Sequence, residues 1–414
     1  MQIRHCVILA GLVALSAMCA WGGDWPQWRG EKRDGHSTDK GLLKEWPKTG
    51  LKLLWTAKGI GGGFSSVSVA QGRIFTMGDG PDSSYVYALN ESDGKQVWTA
   101  KVGRTEGGGG YPGPRCTPTV DRDIVVALGQ HGDLVCLENK TGQENWRKNM
   151  QKDFGGRMMS GWGYSESPLV DGDRVVCTPG GKDGAMVALD RKTGKELWRC
   201  KEFQDQAAYS SIVIAEIGGV RQYVQLTGSS VVGVAPNDGR LLWQAPRRGQ
   251  TAVVPSPIVH QDHVYVTSGY GVGCNLFKIS KSGDKFSAEE VYANKVMANH
   301  HGGVVRVGDY VYGYSDGKGW TCQDFKTGEA IWAERKALGK GSISHADGLL
   351  YLRAESGKGT IMLIEANPKA PWTERGQFDQ PNRTEQQSWP HPAIANGRLY
   401  IRDQDTLLCF DVKG

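Results

Sequence analysis

Aromatic, imidazole and carboxylate side chains collect in the irregular segments of this 414-residue sequence. The longest such segments span residues 101–116, 151–166 and 375–391. Together with a pair of neighbouring histidines, these segments supply the candidate binding residues Arg115, Trp162, Tyr164, Glu166, His300, His301, Trp389 and His391. Tyr209 and Arg353 are further candidates from other parts of the chain. Aromatic faces with a few convergent polar groups are typical of a site for a small polar or aromatic ligand. The same side chains could instead plug a channel and satisfy one another's hydrogen bonds, and both interpretations stay open.

A metal ion would need several of these side chains to converge. Neighbouring residues of a β-strand point to opposite faces, so His300 and His301 cannot readily bind one ion together. One of them could form a site with His391 and Glu166, but we expect no metal. Either histidine could act as a general base, yet no G-x-S-x-G segment supplies a nucleophile. We therefore assign no catalytic residue.

The cysteines do not form a disulfide or zinc pattern. Nine are present; two precede residue 20, and the other seven include no C-x-x-C pair. Cys136, Cys322 and Cys409 recur at a small-residue position of the repeat described below, which favours packing. Cys116 follows Arg115, whose charge could lower the pKa of the thiol, although packing is favoured there too.

Composition excludes two kinds of partner and favours a β fold. The 49 basic and 44 acidic residues leave a formal charge of only +5, without a Lys/Arg-rich block, so we expect no nucleic acid. Beyond the N-terminus no stretch is apolar enough to cross a membrane. The 58 glycines, 14 tryptophans and 14 tyrosines are typical of short strands joined by tight turns.

An eleven-residue repeat organises the chain. In five copies a small residue stands first, glycine seventh and tryptophan eleventh. The copies are ALNESDGKQVW (88–98), CLENKTGQENW (136–146), ALDRKTGKELW (188–198), GVAPNDGRLLW (233–243) and CQDFKTGEAIW (322–332). A degenerate copy at 278–292 ends in Tyr292. We expect Gly194 to allow a turn of positive φ, Ala188 to leave room for a neighbour's indole, and Trp198 to pack between repeats while its N–H reaches a carbonyl.

A second motif, two strands joined by a polar turn, precedes each copy. It occurs eight times, for example as SPLVDGDRVVCT and HPAIANGRLYIR. Each unit then holds four strands, at a period of about 40–50 residues that is typical of propeller blades. The last unit lacks a fourth strand, whereas residues 51–58 form a strand without a unit. Pairing residues 51–58 with 407–412 would close an all-β, eight-bladed propeller of four-stranded antiparallel blades and remove its open edges.

These repeats resemble those of the pyrroloquinoline-quinone (PQQ) type propeller family, in which the tryptophan-docking motif joins the blades. The resemblance covers roughly residues 50–412. The family includes the propeller lipoprotein of the outer-membrane β-barrel assembly complex and the PQQ-dependent dehydrogenases. The resemblance therefore implies one of two functions, because this fold hosts both scaffolds and enzymes.

The N-terminus predicts export. Arg4, the apolar run from residue 7 to 17 and the small residues after it form a signal peptide at 1–23, followed by an arm at 24–50 and the propeller at 51–414. Met18 before Cys19 disfavours lipid anchoring. We expect a periplasmic or secreted monomer that binds an envelope protein or a small ligand.

A non-catalytic binding or assembly scaffold is the favoured interpretation, and we expect no cofactor. A PQQ-dependent dehydrogenase with calcium is the alternative. That family stacks the quinone on a tryptophan and often uses adjacent cysteines, a calcium ion held by carboxylate and amide groups, and a catalytic aspartate. Trp162 and Glu166 could imitate part of such a site, but the sequence has neither adjacent cysteines nor a C-x-x-C-H haem segment.

Overall fold

The chain folds as an all-β propeller of eight four-stranded antiparallel sheets, as predicted. The computed structural model describes residues 23–105 and 109–414. The predicted signal peptide, apart from Gly23, lies outside the described residues. The first strands of several neighbouring blades contact one another. The first strands therefore surround the central channel, and the fourth strands form the outer rim.

The strands of the first four blades follow one another along the chain. Blade 1 comprises β2 (Ser68–Ala70), β3 (Arg73–Asp79), β4 (Ser84–Asn90) and β5 (Gln96–Gly103). Blade 2 comprises β6 (Thr119–Asp121), β7 (Ile124–Leu128), β8 (Asp133–Glu138) and β9 (Glu144–Asn149). Blade 3 comprises β10 (Leu169–Asp171), β11 (Arg174–Cys177), β12 (Met186–Asp190) and β13 (Glu196–Cys200). Blade 4 comprises β14 (Val213–Ile217), β15 (Val220–Leu226), β16 (Ser230–Val234) and β17 (Leu241–Pro246).

The next three blades repeat this order, and the eighth is composite. Blade 5 comprises β18 (Ile258–His260), β19 (His263–Ser268), β20 (Gly273–Ser282) and β21 (Lys285–Asn294). Blade 6 comprises β22 (Val304–Val307), β23 (Tyr310–Ser315), β24 (Gly319–Asp324) and β25 (Ala330–Glu334). Blade 7 comprises β26 (Gly341–Ala346), β27 (Leu349–Ala354), β28 (Ile361–Glu365) and β29 (Glu374–Phe378). Blade 8 comprises β30 (Ala393–Ala395), β31 (Arg398–Asp403), β32 (Thr406–Asp411) and the N-terminal β1 (Leu53–Lys58). A short helix, α1 (Met150–Phe154), lies between blades 2 and 3.

The pairing of β1 with β32 confirms the predicted closure of the ring. Thr56 pairs with Leu408 and Ala57 with Leu407, while a register shift separates Leu53 from the rest of the ladder. The predicted ranges were 51–58 and 407–412, and three of these four strand ends differ from the observed ends by one or two residues. The last sheet is therefore completed by the first strand of the chain, which covers an edge that would otherwise be open.

Buried indoles join several blades to the next, whereas the N–H of Trp243 donates to Gln222 of its own blade. Nε1 of Trp198 donates to the carbonyl of Pro236 in blade 4 at 2.9 Å, and a Cβ on Gly239 would lie 2.4 Å from the Trp198 ring. Gly194 has a φ of +67° and packs in the same way against Trp146. A Cβ built on Gly194 would lie only 2.7 Å from the Trp146 ring. The turn glycine is thus required twice, by its backbone conformation and by the neighbouring indole.

The predicted role of the small residue needs a correction. Ala188 pairs with Trp198 across the ladder of its own sheet. At the equivalent position a Cβ on Gly233 would lie 2.1 Å from Nε1 of Trp243, again in the same blade. The small residue therefore makes room for its own indole, and the turn glycine makes room for the neighbour's.

Two blades lack the repeat tryptophan and use substitutes. In blade 5 the hydroxyl of Tyr292 donates to the carbonyl of Phe325 at 2.9 Å. In blade 7 the position opposite Leu363 is Gly376, and Trp46 of the N-terminal arm packs there, with its backbone N–H on the carbonyl of Arg375 at 2.7 Å. The arm therefore supplies an indole to the one sheet whose own sequence offers neither Trp nor Tyr at this place.

The arm also crosses the channel and seals it. Trp25 exchanges two backbone hydrogen bonds with Val69 in blade 1, and the carbonyl of Gly35 accepts from His345 in blade 7. Between these points Arg29 donates to the carbonyl of Val304 and Arg33 to that of Ser167. Both guanidinium groups are buried, which lowers their pKa values to about 10. The channel is thus filled by charged groups whose donors reach backbone carbonyls of several blades.

Truncation of an interblade indole should destabilise the fold. We expect Trp198→Ala to lower the free energy of unfolding by about 3–5 kcal/mol, because the side chain is only 8% exposed and its N–H is paired. Guanidinium denaturation measures the change. The neighbouring Leu197→Ala is the control, because Leu197 is 49% exposed and its loss should cost under about 0.5 kcal/mol. Equal midpoints for the two variants would contradict interblade packing.

Candidate functional site

An aromatic cavity of about 160 Å³ lies at one end of the channel. Its lining comes mainly from segments that directly precede the first strands of the blades, together with the arm. Seven of the lining residues are Trp28, Phe64, Tyr111, Trp162, Tyr209, Tyr270 and Trp389, and the other seven are Arg115, Ser165, Ser211, Ala252, Val254, His300 and His301. Tyr111 and Tyr270 are 42% and 40% exposed, so they mark its mouth.

Five of the eight candidate residues line this cavity, and the structure brings them together as follows. Trp389 is central: its ring is stacked on Phe64 at 4.2 Å between centroids and lies 4.9 Å from His301. Trp162 lies across from it, 6.3 Å from the Tyr209 ring. A Cβ on Gly109 would lie 2.5 Å from Trp162, so the glycine of the 101–116 segment allows this indole to sit close to the backbone.

Arg115 is held by backbone oxygens. Its guanidinium donates to the carbonyl of Trp162 at 3.0 Å and to that of Tyr111 at 2.6 Å. The same group lies over the Phe64 ring, 5.6 Å from its centroid. Burial lowers the pKa of Arg115. The residue thus ties two loops together and leaves a positive charge beside the cavity.

His300 and His301 both line the cavity, which contradicts the expectation that they point to opposite sides. They precede β22, in a segment that is not a strand, and their ring centroids are 4.3 Å apart. Nζ of Lys340 lies 2.9 Å from Nδ1 of His300 and 2.8 Å from Oδ1 of Asp316. Burial, His301 and Lys340 together lower the pKa of His300 to about 2. His300 therefore stays neutral, and its Nδ1 accepts a hydrogen bond from the ammonium group of Lys340.

One nitrogen of His301 lies close to a carboxylate, and the other has no partner in the described part of the chain. Its Nε2 lies 3.0 Å from Oε2 of Glu355, and the side chain is only 10% exposed. Its Nδ1 is buried and has no hydrogen-bond partner among the described residues. Ser165 contributes a second orphan of this kind, its hydroxyl oxygen.

Glu166 is not part of the cavity, although it was a candidate. It is 2% exposed, and its carboxylate accepts from the backbone N–H and hydroxyl of Thr178 at 2.7 and 3.1 Å and from the side-chain amide of Gln225 at 3.3 Å. Burial raises the pKa of this carboxyl group to about 7. It joins two strands of blade 3 to blade 4 and serves packing.

Tyr164, His391 and Arg353 are also structural. The hydroxyl of Tyr164 donates to the carbonyl of Pro179 at 3.0 Å. Nδ1 of His391 accepts from Arg29 at 3.0 Å, and its Nε2 lies 2.9 Å from the carbonyl oxygen of His301. Burial and the neighbouring Arg29 keep the pKa of His391 well below its usual value. Arg353 is fully buried and donates to Gln380 and to the carbonyl of Arg402.

The cysteines are buried and free, all seven that the structure describes. Cys116 does not gain reactivity from its neighbour Arg115, because burial raises the pKa of its thiol to about 12. A thiolate nucleophile or metal ligand is not available there at neutral pH.

The residues at the cavity do not fit PQQ with calcium. Calcium prefers oxygen ligands, and no acidic or amide side chain belongs to the described lining of the cavity. The carboxylate of Glu166, which was the expected calcium ligand, already accepts hydrogen bonds from Thr178 and Gln225. Within residues 23–105 and 109–414 no group of three or more His, Cys, Asp and Glu is placed to hold a metal ion. The cavity is also small for a fused three-ring quinone, because ordinary ligand sites measure about 300–1,000 Å³.

Sequence reasoning missed four aromatic members of the cavity. Trp28 belongs to the arm, where its indole N–H donates to Ser256 at 3.2 Å and its ring lies 4.6 Å from His391. Phe64, Tyr111 and Tyr270 stand on loops and line the cavity. The signal that could have found Phe64 is its place directly before the first strand of blade 1, which corresponds to the place of Trp389 in blade 8.

Comparisons with known proteins place this geometry in a family context. The family model described as outer membrane protein assembly factor BamB matches residues 82–334. BamB of Burkholderia pseudomallei is 22% identical over 282 residues, which is 59% of this chain and 70% of that protein. The quinohemoprotein alcohol dehydrogenase ADH-IIG of Pseudomonas putida is 29% identical over 141 residues, 32% of this chain and only 18% of its own length. The crystal structure of BamB from Moraxella catarrhalis superimposes with a TM-score of 0.63 at 13% identity, covering 88% of this chain and 98% of that one.

Membrane insertion through helices has no support in the part of the chain that is described. There, no helix reaches the length and hydropathy that a bilayer crossing requires.

Substitution should separate the cavity residues from the buried network. We expect His391→Ala to cost at least about 2 kcal/mol, because it leaves the buried Arg29 without its imidazole acceptor. Trp162→Ala should cost clearly less, about 0.5–1 kcal/mol, because Trp162 stands on a loop outside the sheets. Thermal and denaturant unfolding of both variants measures the difference. A large, equal loss in both would mean that the cavity wall is a packed plug.

Glu166 should make stability fall as pH rises. Its carboxyl pKa of about 7 in the folded protein exceeds the value of about 4.3 in an unfolded chain. Between these values the folded state binds more protons than the unfolded state, so the free energy of unfolding decreases with increasing pH. Between pH 5 and 8 the ionisation of Glu166 should lower the free energy of unfolding by about 2–3 kcal/mol. Glu166→Gln should lack this pH-dependent loss of stability. Denaturant unfolding curves of the variant and the wild type at pH 5 and pH 8 measure the difference. The same pH dependence in both proteins would refute a raised pKa for Glu166.

Proposed function

Since the chain belongs to the family of the outer membrane protein assembly factor BamB, we propose that it is a non-catalytic propeller of the periplasm or the cell exterior that binds an envelope protein through its aromatic cavity face. The signal peptide predicted at 1–23 would export it without a lipid anchor, and it would act as a monomer. The observation that carries the proposal is the aromatic cavity at the mouth of a channel that is sealed from the other side.

The frame around this cavity suits a binding surface. Its walls are loops that stand on the first strands of a closed ring, and rigid sheets that carry variable loops are the common arrangement for binding sites. Tyr111 and Tyr270 expose aromatic surface at the mouth, and tyrosine and tryptophan are enriched where proteins bind partners. Arg115 adds a charge whose geometry is fixed by three backbone carbonyls.

The alternative is a PQQ-dependent dehydrogenase, and the similarity to ADH-IIG is the observation in its favour. That similarity covers 18% of the dehydrogenase, and the described lining of the cavity offers calcium no carboxylate. The scaffold is therefore the better-supported function.

Photocrosslinking tests the proposal. p-Benzoylphenylalanine replaces Tyr111 at the cavity mouth, and in a matched control it replaces Leu197, which is 49% exposed on the outer strand β13. In cells of the native host we expect the protein in the periplasmic fraction and a discrete crosslink to an envelope protein from position 111 that is absent from position 197. Equal crosslinking from both positions, or none from 111, would contradict binding through this face.

A titration with PQQ and Ca²⁺ tests the alternative. We expect no saturable quenching of tryptophan fluorescence and no dye-linked oxidation of alcohols. Stoichiometric quenching together with alcohol oxidation would reverse the assignment in favour of the dehydrogenase.

A further inference from the structure

The cavity has room for one ring. Its volume is about 160 Å³, and an apolar cavity of about 150 Å³ in another protein binds benzene. Its walls are aromatic rings tilted against one another, for example His301 against Trp389 at 37° and Tyr111 against Trp389 at 47°. Tilted and offset arrangements at centroid distances of about 4.5–7 Å are those in which aromatic rings attract one another. The walls therefore favour a single aromatic ring.

The charges at the cavity favour a neutral ligand. Arg115 opposes a cation. Its donors to Trp162, Gly113 and Tyr111 are directed at carbonyl oxygens, which does not suit a carboxylate or phosphate ligand. Lys340, the nearest ammonium group to His300, is already paired with Asp316.

The orphaned atoms call for one hydroxyl group. Nδ1 of His301 belongs to a side chain that is nine-tenths buried, and it has no partner among the described residues. Oε2 of Glu355 lies 3.0 Å from Nε2 but makes no hydrogen bond there. In the tautomer that carries its proton on Nε2, next to this carboxylate, Nδ1 keeps a lone pair. A buried acceptor without a donor costs free energy that a ligand O–H would recover. A sugar ring brings four or five hydroxyl groups, more than His301 and the Ser165 oxygen can satisfy.

We infer that the cavity binds a phenol, a single aromatic ring whose hydroxyl group donates a hydrogen bond to Nδ1 of His301. The ring would lie among Trp389, Trp162 and Tyr209. Two sources share this chemistry, a free phenolic compound and the tyrosine side chain of an envelope protein. The inference rests on the proposed function, in which this cavity is the binding site.

Calorimetric titration of the full exported chain with three matched ligands tests the inference. p-Cresol has a donor hydroxyl, 4-methylanisole has an acceptor oxygen only, and toluene has neither. At pH 8 we expect p-cresol to bind roughly 3- to 10-fold more tightly than the other two, the gain of one hydrogen bond. Equal affinities for p-cresol and toluene, or tighter binding of 4-methylanisole, would overturn it.

A variant assigns the effect to His301. His301→Leu should abolish the preference for p-cresol over toluene, whatever it does to the affinity for both. The matched control is His263→Leu, another histidine beside a carboxylate, with Nδ1 2.7 Å from Asp262 on the far side of blade 5; it should keep the preference. Retention of the preference in His301→Leu would overturn the inference. If that variant does not fold, the three-ligand comparison on the wild type decides alone.

A further arm separates the sources and the two proposals. N-acetyl-L-tyrosinamide that binds as tightly as p-cresol would indicate a tyrosine side chain, whereas binding of p-cresol alone would indicate a free phenol; either supports the inference. If toluene, p-cresol and the tyrosine derivative all fail to bind, the inference is wrong, while the crosslink from position 111 decides the proposed function independently.

Discussion

The contact between an indole and the turn glycine of the next sheet, made by Trp55, Trp98, Trp146 and Trp198, is the constraint on which the first half of this propeller depends. Each pair fixes two things at once: the indole N–H needs the carbonyl beside the turn, and the ring needs the space that a side chain on glycine would fill. Trp146 with Gly194 and Trp198 with Gly239 are two instances, with built Cβ atoms only 2.4–2.7 Å from the rings. A contact with so little tolerance sets the spacing of the blades, and constant spacing around a ring determines how wide its channel must be.

A channel of that width cannot remain lined by backbone alone. The arm solves this by sending Arg29 and Arg33 into it, where they donate to Val304 and Ser167. Long side chains with several donors can reach carbonyls on opposite sides of the ring, which a hydrophobic plug could not pair. The arm then continues outward and places Trp46 against blade 7. The same segment therefore seals one end of the channel and repairs a missing interblade contact, so the cavity opens at one face only.

The ring was predictable because its rules are local and repeated, whereas the cavity was predictable only in part. Blade number, strand order and the closing pair follow from spacings along the chain. Trp46 has no repeat around it, so nothing in its neighbourhood signals its place in blade 7. In the segment before β10, Ser165 faces the cavity and its neighbours Tyr164 and Glu166 face the protein, because alternate residues of an extended chain point to opposite sides. Sequence alone does not set the phase of that alternation. His391 failed for another reason, because its partner Arg29 comes from 362 residues away.

The pairing of polar atoms distinguishes structural from binding residues in this channel. Glu166 and His391 are residue types that often act in binding or catalysis, yet their polar atoms have protein partners. Glu166 accepts from Thr178 and Gln225. His391 bonds with Arg29 and a backbone carbonyl. Folding has already used these groups, and a ligand would gain nothing from them. His301 differs, since one nitrogen lies near Glu355 while the other is buried and, among the described residues, unpaired, in a side chain that lines the aromatic cavity. Other buried polar atoms of the described chain also lack partners, Nε and Nη1 of Arg33 among them. The nitrogen of His301 differs from those of Arg33 because its side chain lines the aromatic cavity, where a ligand can approach.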